Sequence, residues 1–145
     1  MLEAKFRGVT ALIEPLALEA AALVPAAWRI ELVAPVPLTR RRQRRRGFNQ
    51  AWIATQHVAR ALGVPAEEPL RRIAERAPQA SLSAEARARN LDGVFAVPRA
   101  IEVAGRRLLL VDEVTTTGAT LSAAAHVLRE AGAEAVFALA LARED

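Results

Sequence analysis

Apolar positions along the chain fall into short blocks whose spacing switches between helix-like and strand-like. Over residues 9–23 they recur every three or four positions. This predicts an amphipathic helix with Leu12, Ile13, Leu16 and Leu23 toward the core and Pro15 in its first turn or at a kink. Trp28 and residues 30–34 read as a strand ended by Pro35-Val36-Pro37. Residues 49–62 form a second predicted helix, with Trp52, Ile53, Val58, Ala59 and Leu62 inward, and Gly63 and Pro65 stopping it. Residues 70–73, 94–97 and 101–103 are short predicted strands, and Ala104-Gly105 turns the last into residues 108–111. That run, Leu108-Leu109-Leu110-Val111, is continuously apolar, as in a strand covered on both faces. Leu121, Ala124, Ala125, Leu128 and Ala131 follow at helical spacing, with Gly132 placed at the C′ position. Residues 135–141 make the final strand. Between these elements, residues 74–83 lack periodicity and read as a loop, and Ser83 is placed to cap a short helix to Asn90 that carries Arg87 and Arg89.

Composition narrows the classes. A chain of 145 residues without internal repeat or linker fits one domain, 1–145, and its 52% apolar content with 4% aromatics predicts a core of Ala, Leu and Val. The absence of cysteine removes disulfides, thiolate metal sites and Cys nucleophiles, and fits a cytoplasmic location. No apolar run approaches the roughly 18–20 residues of a membrane span, and Glu14 and Glu19 interrupt the N-terminal apolar stretch, against a signal peptide. The net charge of +4 is carried almost wholly by arginine, Lys5 being the only lysine. Arginine is the better bidentate phosphate partner, although a compositional bias of the genome would write the same residues.

The chemistry concentrates where the strand at 108–111 ends. Asp112 and Glu113 come next, then a hydroxyl-rich turn, Thr115-Thr116-Thr117-Gly118-Ala119-Thr120, then the helix. The first amides of a helix lack intrahelical partners and sit at the positive end of its dipole, so a phosphate is favoured there. The threonines add hydroxyl donors, and Gly118 allows close backbone approach. Each hydrogen bond to a charged group contributes about 1.5–3 kcal/mol, so several could hold one phosphate. Asp112 and Glu113 would repel that phosphate but suit neighbouring sugar hydroxyls or a metal carried by the substrate. The combined expectation is a ribose 5-phosphate. A nucleotide P-loop and a dinucleotide fingerprint are both absent. A solvated acidic turn, a threonine capping cluster and a phospho-accepting Asp112 are the competing readings.

A second informative stretch is Val36-Pro37-Leu38-Thr39-Arg40, followed by Arg41, Arg42, Gln43, Arg44, Arg45 and Arg46. In an open α/β sheet ligands sit beyond the carboxyl ends of the strands, so this loop should share an edge with the threonine loop. Its amides and Arg40 could meet a pyrophosphate. Arg41, Arg42, Arg44, Arg45 and Arg46 exceed that need and would suit a single-stranded nucleic acid backbone, with Phe48 as a surface aromatic. A solvated basic loop is the bland alternative. Arg76 and Gln79 lie in the 74–83 stretch, which reads as a mobile loop over the site or a plain surface connection. His57 and His126 lack Cys or carboxylate neighbours at metal-ligand spacing and read as ordinary surface or core histidines.

The segment at 108–120 resembles the signature of type I phosphoribosyltransferases. The pieces K-F-R-G (5–8), P-V-P-L (35–38), R-R-G-F-N-Q-A (45–51), P-Q-x-S-L-S (78–83) and R-x-x-N-L-x-G-x-F (87–95) are similar, in order, to the ComF family. Those proteins are phosphoribosyltransferase-like, also described as amidophosphoribosyltransferase-like, and associated with natural competence. The resemblance implies a mainly parallel central sheet flanked by helices, with a small hood or flexible loop. It implies phosphoribosyl pyrophosphate as ligand: the 5-phosphate at Thr115, Thr116, Thr117, Gly118, Ala119 and Thr120, the ribose on Asp112 and Glu113, and pyrophosphate on 36–40. Magnesium would be carried by the substrate pyrophosphate and not held directly by a metal site of the protein, Asp112 or Glu113 being the side chains that could contact it. Single-stranded DNA, other competence proteins and a homodimer are the partners it allows. The cysteine pairs of an N-terminal zinc ribbon, common in the family, are missing. The Asp-Glu order of the acidic pair and Ala77 before Pro78 also depart from the usual pattern. Two functions follow: a phosphoribosyl transferase with an unassigned nitrogen acceptor, or a non-catalytic protein handling single-stranded DNA.

Overall fold

A computed structural model describes residues 2–38, 50–74, 93–115 and 117–144. The described elements in chain order are α1 (Leu2–Ala22), β1 (Leu32–Pro35), α2 (Gln50–Leu62), β2 (Arg71–Arg72), β3 (Phe95–Ala96), β4 (Arg107–Thr115), α3 (Ala119–Glu130) and β5 (Ala135–Arg143). Strands β1, β4 and β5 form a parallel sheet with β4 in the middle. The free edge of β1 is partly covered by the chain leaving α2. The Val33 N–H donates to the Pro65 carbonyl at 3.0 Å, and the Glu67 N–H donates to the Val33 carbonyl at 3.0 Å.

Alternation along the strands divides the core into two layers. Leu32, Ala34, Leu108 and Leu110 pack with Leu121, Ala124, Ala125 and Leu128 of α3. Val33, Leu109 and Val111 pack on the opposite face with Ile13, Ala17 and Ala21 of α1 and Ala54, Val58 and Ala59 of α2. The expected α/β architecture, a parallel sheet with helices on both faces, is therefore present. Among the described residues, no helix is long and apolar enough to cross a membrane.

Helix α1 begins at Leu2 rather than residue 9, and its buried face differs from the predicted one. Ile13 is buried as expected, but Leu12, Leu16 and Leu23 are 65%, 45% and 78% exposed. The contact face is Ile13, Ala17, Ala20 and Ala21. Small side chains allow α1 to approach the equally small Ala51, Ala54 and Ala59 side of α2, where leucines would hold the helices apart. In α2 the buried positions are Gln50, Ala51, Ala54, Thr55, Val58 and Ala59, while Trp52 and Ile53 are only half-buried, which corrects the placement of Trp52 in the core. Both errors share a cause: the most hydrophobic residues were assigned inward where the packing selects the smallest ones.

Two strand predictions also change. Trp28 closes a 3₁₀ turn, Ala26–Trp28, and the strand starts at Leu32. Ala100–Glu102 is a 3₁₀ turn rather than a strand, held by the Val103 N–H to Ala100 carbonyl bond at 3.1 Å, with Ile101 82% exposed and Val103 buried. The Ile101/Val103 alternation mimicked a strand period. The short strands expected within 70–73 and 94–97 are present as β2 and β3, and they pair antiparallel, Arg71↔Ala96 and Arg72↔Phe95, a pairing the sequence did not indicate. The helix predicted from Ser83 and the loop residues Arg76 and Gln79 lie outside the described residues.

The amino ends of the sheet are fastened by one side chain. Arg107 Nε donates to the Trp28 carbonyl at 2.7 Å, its Nη1 pairs with Glu134 at 3.4 Å, and its guanidinium lies 5.5 Å from the Phe137 ring centroid. Trp28 stacks on Phe137 at 4.4 Å. Polar and aromatic contacts thus tie β1, β4 and β5 at one end.

Candidate functional site

The site lies at the opposite, carboxyl end of the sheet. There β4 runs four residues past Val111, so Asp112 and Glu113 stand on the strand itself rather than in the following turn. The extension has a backbone cause: β5 continues alongside, pairing Asp112 with Ala140, Val114 with Ala142 and Thr115 with Arg143. The Thr115 carbonyl then accepts the Glu144 N–H at 2.9 Å. The charges of Asp112 and Glu113 suggested a strand end from sequence. In the structure both carboxylates are half-buried at the rim. Alternation sends Asp112 toward the α3 layer and Glu113 toward the α1/α2 layer. Asp112 Oδ1 accepts the Glu113 N–H at 2.8 Å, which orients the first carboxylate against the backbone of the second.

The turn after β4 delivers Gly118 at φ +80°, ψ 4°, the left-handed region, as N-cap of α3. A glycine takes this conformation without steric cost, and that explains the single glycine among the threonines. Thr117 Oγ1 accepts the Ala119 N–H at 3.2 Å, and the Ser122 N–H donates to the Gly118 carbonyl at 2.9 Å. The threonine capping reading is therefore partly right, but through Thr117 acting from before the cap. Ala119 and Thr120, in the first turn of α3, are half-buried, and first-turn amides have no partner within the helix itself. Thr116 lies outside the described residues. At its other end α3 closes with Gly132 at φ +107°. The Gly132 N–H bonds to Arg129 O at 3.0 Å and the Ala133 N–H to Leu128 O at 3.1 Å, the C′ arrangement expected from sequence.

The loop after β1 arrives next to the carboxylates. Pro35 is in register with Val111, and the Val36 N–H donates to the Val111 carbonyl at 2.9 Å. Val36 is buried, and Pro37 and Leu38 are half-buried. The structure thus brings Val36, Pro37 and Leu38 to the same edge as Asp112, Glu113, Thr115, Thr117, Gly118, Ala119 and Thr120. Thr39, Arg40, Arg41, Arg42, Arg44, Arg45, Arg46 and Phe48 lie outside the described residues.

Sequence reading ended the last strand at residue 141. It therefore missed Arg143 and Glu144, which reach the site's rim; the signal was the uninterrupted alternation of β5 through Arg143. It also passed over the carboxylate one turn from His126: Nε2 of His126 lies 3.2 Å from Glu130 on an exposed face. Among the described residues no group of three His, Asp or Glu side chains gathers as a metal centre.

Chemically, the edge combines a helix start suited to a phosphate, two carboxylates suited to vicinal hydroxyls, and a proline-stiffened loop on the far side of the carboxylates. Comparison with known proteins bears on the fold and the family. Residues 51–144 match the model of the phosphoribosyl transferase domain. Competence protein F of Haemophilus influenzae is 39% identical over 115 residues, 78% of this chain and 50% of that protein. The DNA utilization protein YhgH of Escherichia coli is 39% identical over 112 residues, 77% of this chain and 48% of that protein. The chain thus spans about half the length of these relatives. A solved structure of glutamine phosphoribosylpyrophosphate amidotransferase from B. subtilis shares the fold, with a TM-score of 0.59 at 22% identity over 89% of this chain and 26% of that one. The likeness to competence proteins read from the sequence is met in these relatives, and the chain belongs to the phosphoribosyl transferase domain family.

Proposed function

We propose that this chain binds phosphoribosyl pyrophosphate at the carboxyl edge of its sheet and transfers the phosphoribosyl group to a nitrogen acceptor. The observation that carries this reading is the juxtaposition on one edge of the glycine-capped start of α3, the Asp112–Glu113 pair and the loop leaving β1. In this reading the amides and hydroxyls of 115–120 hold the 5-phosphate. Asp112 and Glu113 accept hydrogen bonds from the ribose hydroxyls and stabilise the positive charge that grows on the ring as pyrophosphate departs. Residues 36–40 cradle that leaving group.

The donor set also suits magnesium. Asp112 and Glu113 offer only hard oxygens, and Mg²⁺ is commonly held by one or two carboxylates together with substrate phosphates. When bound, the ion would neutralise charge on the departing diphosphate. The test is magnesium-dependent release of pyrophosphate from phosphoribosyl pyrophosphate. The unaltered chain should release it, and the Asp112→Asn, Glu113→Gln double variant should not. Equal release by both would remove the carboxylates from the chemistry.

A second reading, handling of single-stranded DNA in a competence-linked role, draws on the names of the relatives and on the arginines at 41–46. It and the transferase reading can share one chain, because the arginine run and the carboxylate pair occupy different segments.

A further inference from the structure

Helix α1 is apolar on its outer surface as well as on the side that faces the sheet. The inner face is Ile13, Ala17, Ala20 and Ala21. On the outer surface Leu12, Leu16 and Leu23 are exposed, and with Glu19 they follow spacings of four, three and four residues, the repeat of a seam between two helices. Ala11, Pro15, Leu18 and Ala22 are exposed as well, so residues 11–23 carry no charge but Glu14 and Glu19. A helix apolar on both sides is the pattern of one covered on both sides. The leucines have no place on the inner face, where alanine lets α1 approach α2 closely.

The charges indicate what covers it. Past Glu3 the sign changes once along α1: Lys5 and Arg7 stand in its first two turns, Glu14 and Glu19 in the later ones. Two such helices laid parallel would set glutamate against glutamate. Laid antiparallel with Leu12 opposite Leu12, they bring Glu19 of each copy level with Lys5 of the other, and Leu16 level with Gly8, which has no side chain to exclude it. A two-fold axis makes each of these pairings occur twice, and it closes the assembly at two chains. We propose that the outer face of α1 joins two copies of this chain, packed antiparallel about Leu12. The proposal does not rest on the phosphoribosyl reading of the carboxyl edge. Leu12 and Leu16, exposed in the single chain, contribute to association and little to the stability of the dissociated chain.

The chain has no cysteine, so one introduced thiol reports on its own position. Under mild oxidation Leu12→Cys should give a covalent dimer, because the axis sets the two thiols face to face. Ile101→Cys, also exposed but in the turn before β4, should not. Sedimentation equilibrium should give twice the mass of the chain. Leu12→Glu and Leu16→Glu should each weaken association roughly tenfold or more, since glutamates would be buried at the seam without partners, with helix content by circular dichroism unchanged. Lys5→Glu and Glu19→Lys should each weaken it severalfold, and the two combined in one chain should restore it. A monomeric unaltered chain overturns the proposal. So do a dimer that Leu12→Glu leaves as tight as before, equal cross-linking at positions 12 and 101, and a double charge exchange that restores nothing.

Discussion

The Val36 amide donates to the Val111 carbonyl at 2.9 Å, and this bond fixes the loop after β1 against the last residue before the acidic pair. The two segments are far apart in sequence, yet their backbones are joined one residue from Asp112. Lateral strand pairing of β1, β4 and β5 brings these backbones to one edge. The contacts of Arg107, Trp28 and Phe137 lie at the other end of the sheet.

Asp112 and Glu113 should be separable. The Asp112 carboxylate is oriented by its bond to the Glu113 N–H. Asp112→Asn is expected to lower pyrophosphate release by about 10²–10³, the scale for removing a preorganised electrostatic group. Glu113→Gln is expected to cost less, because its longer side chain can readjust. Single-turnover measurement of released pyrophosphate gives both numbers.

Gly118 sits at φ +80° with nothing within 4 Å of an added Cβ, so Gly118→Ala probes backbone strain alone. A left-handed alanine costs roughly 1–2 kcal/mol. Urea unfolding should show a loss of about that size, together with weaker binding of inorganic phosphate. Gly118→Asn should be milder in both, since asparagine visits this region more readily.

Much of this architecture is legible in the residues, and the failures have a common physical origin. The buried run at 108–111 and the glycine stop of α3 follow from local constraints: two-sided burial and a positive φ. The inward face of α1 does not, because it depends on how closely α2 approaches, and nothing local to residues 12–23 encodes that distance. The length of β4 likewise depends on β5 lying beside it. Asp112 and Glu113 read as a strand end because their charges break the apolar run, whereas strand pairing carries on beneath them.

The corrected α1 face makes its own prediction. Leu12→Ala should change stability by no more than about 0.5 kcal/mol, as for exposed positions generally. Ala17→Leu should destabilise by about 1–3 kcal/mol, because Ala17 is fully buried between helix and sheet. Leu109→Ala, in the centre of the same layer, should cost about 2–5 kcal/mol. Chemical denaturation of the three variants checks the order.

If the arginines contact single-stranded DNA, its affinity should fall with salt by about 0.7 log units per log unit of salt for each phosphate contact. Replacing Arg41, Arg42, Arg44 and Arg45 together should flatten that dependence. An unchanged slope in a filter or anisotropy titration removes this stretch from any DNA role.

The most direct test is titration of ribose 5-phosphate into the unaltered chain and into the Asp112→Asn, Glu113→Gln variant. Saturable one-to-one binding that inorganic phosphate displaces, and that weakens at least about tenfold when the carboxylates are neutralised, is the predicted result. Absence of saturable binding in the unaltered chain, or equal affinity in the two, would contradict it.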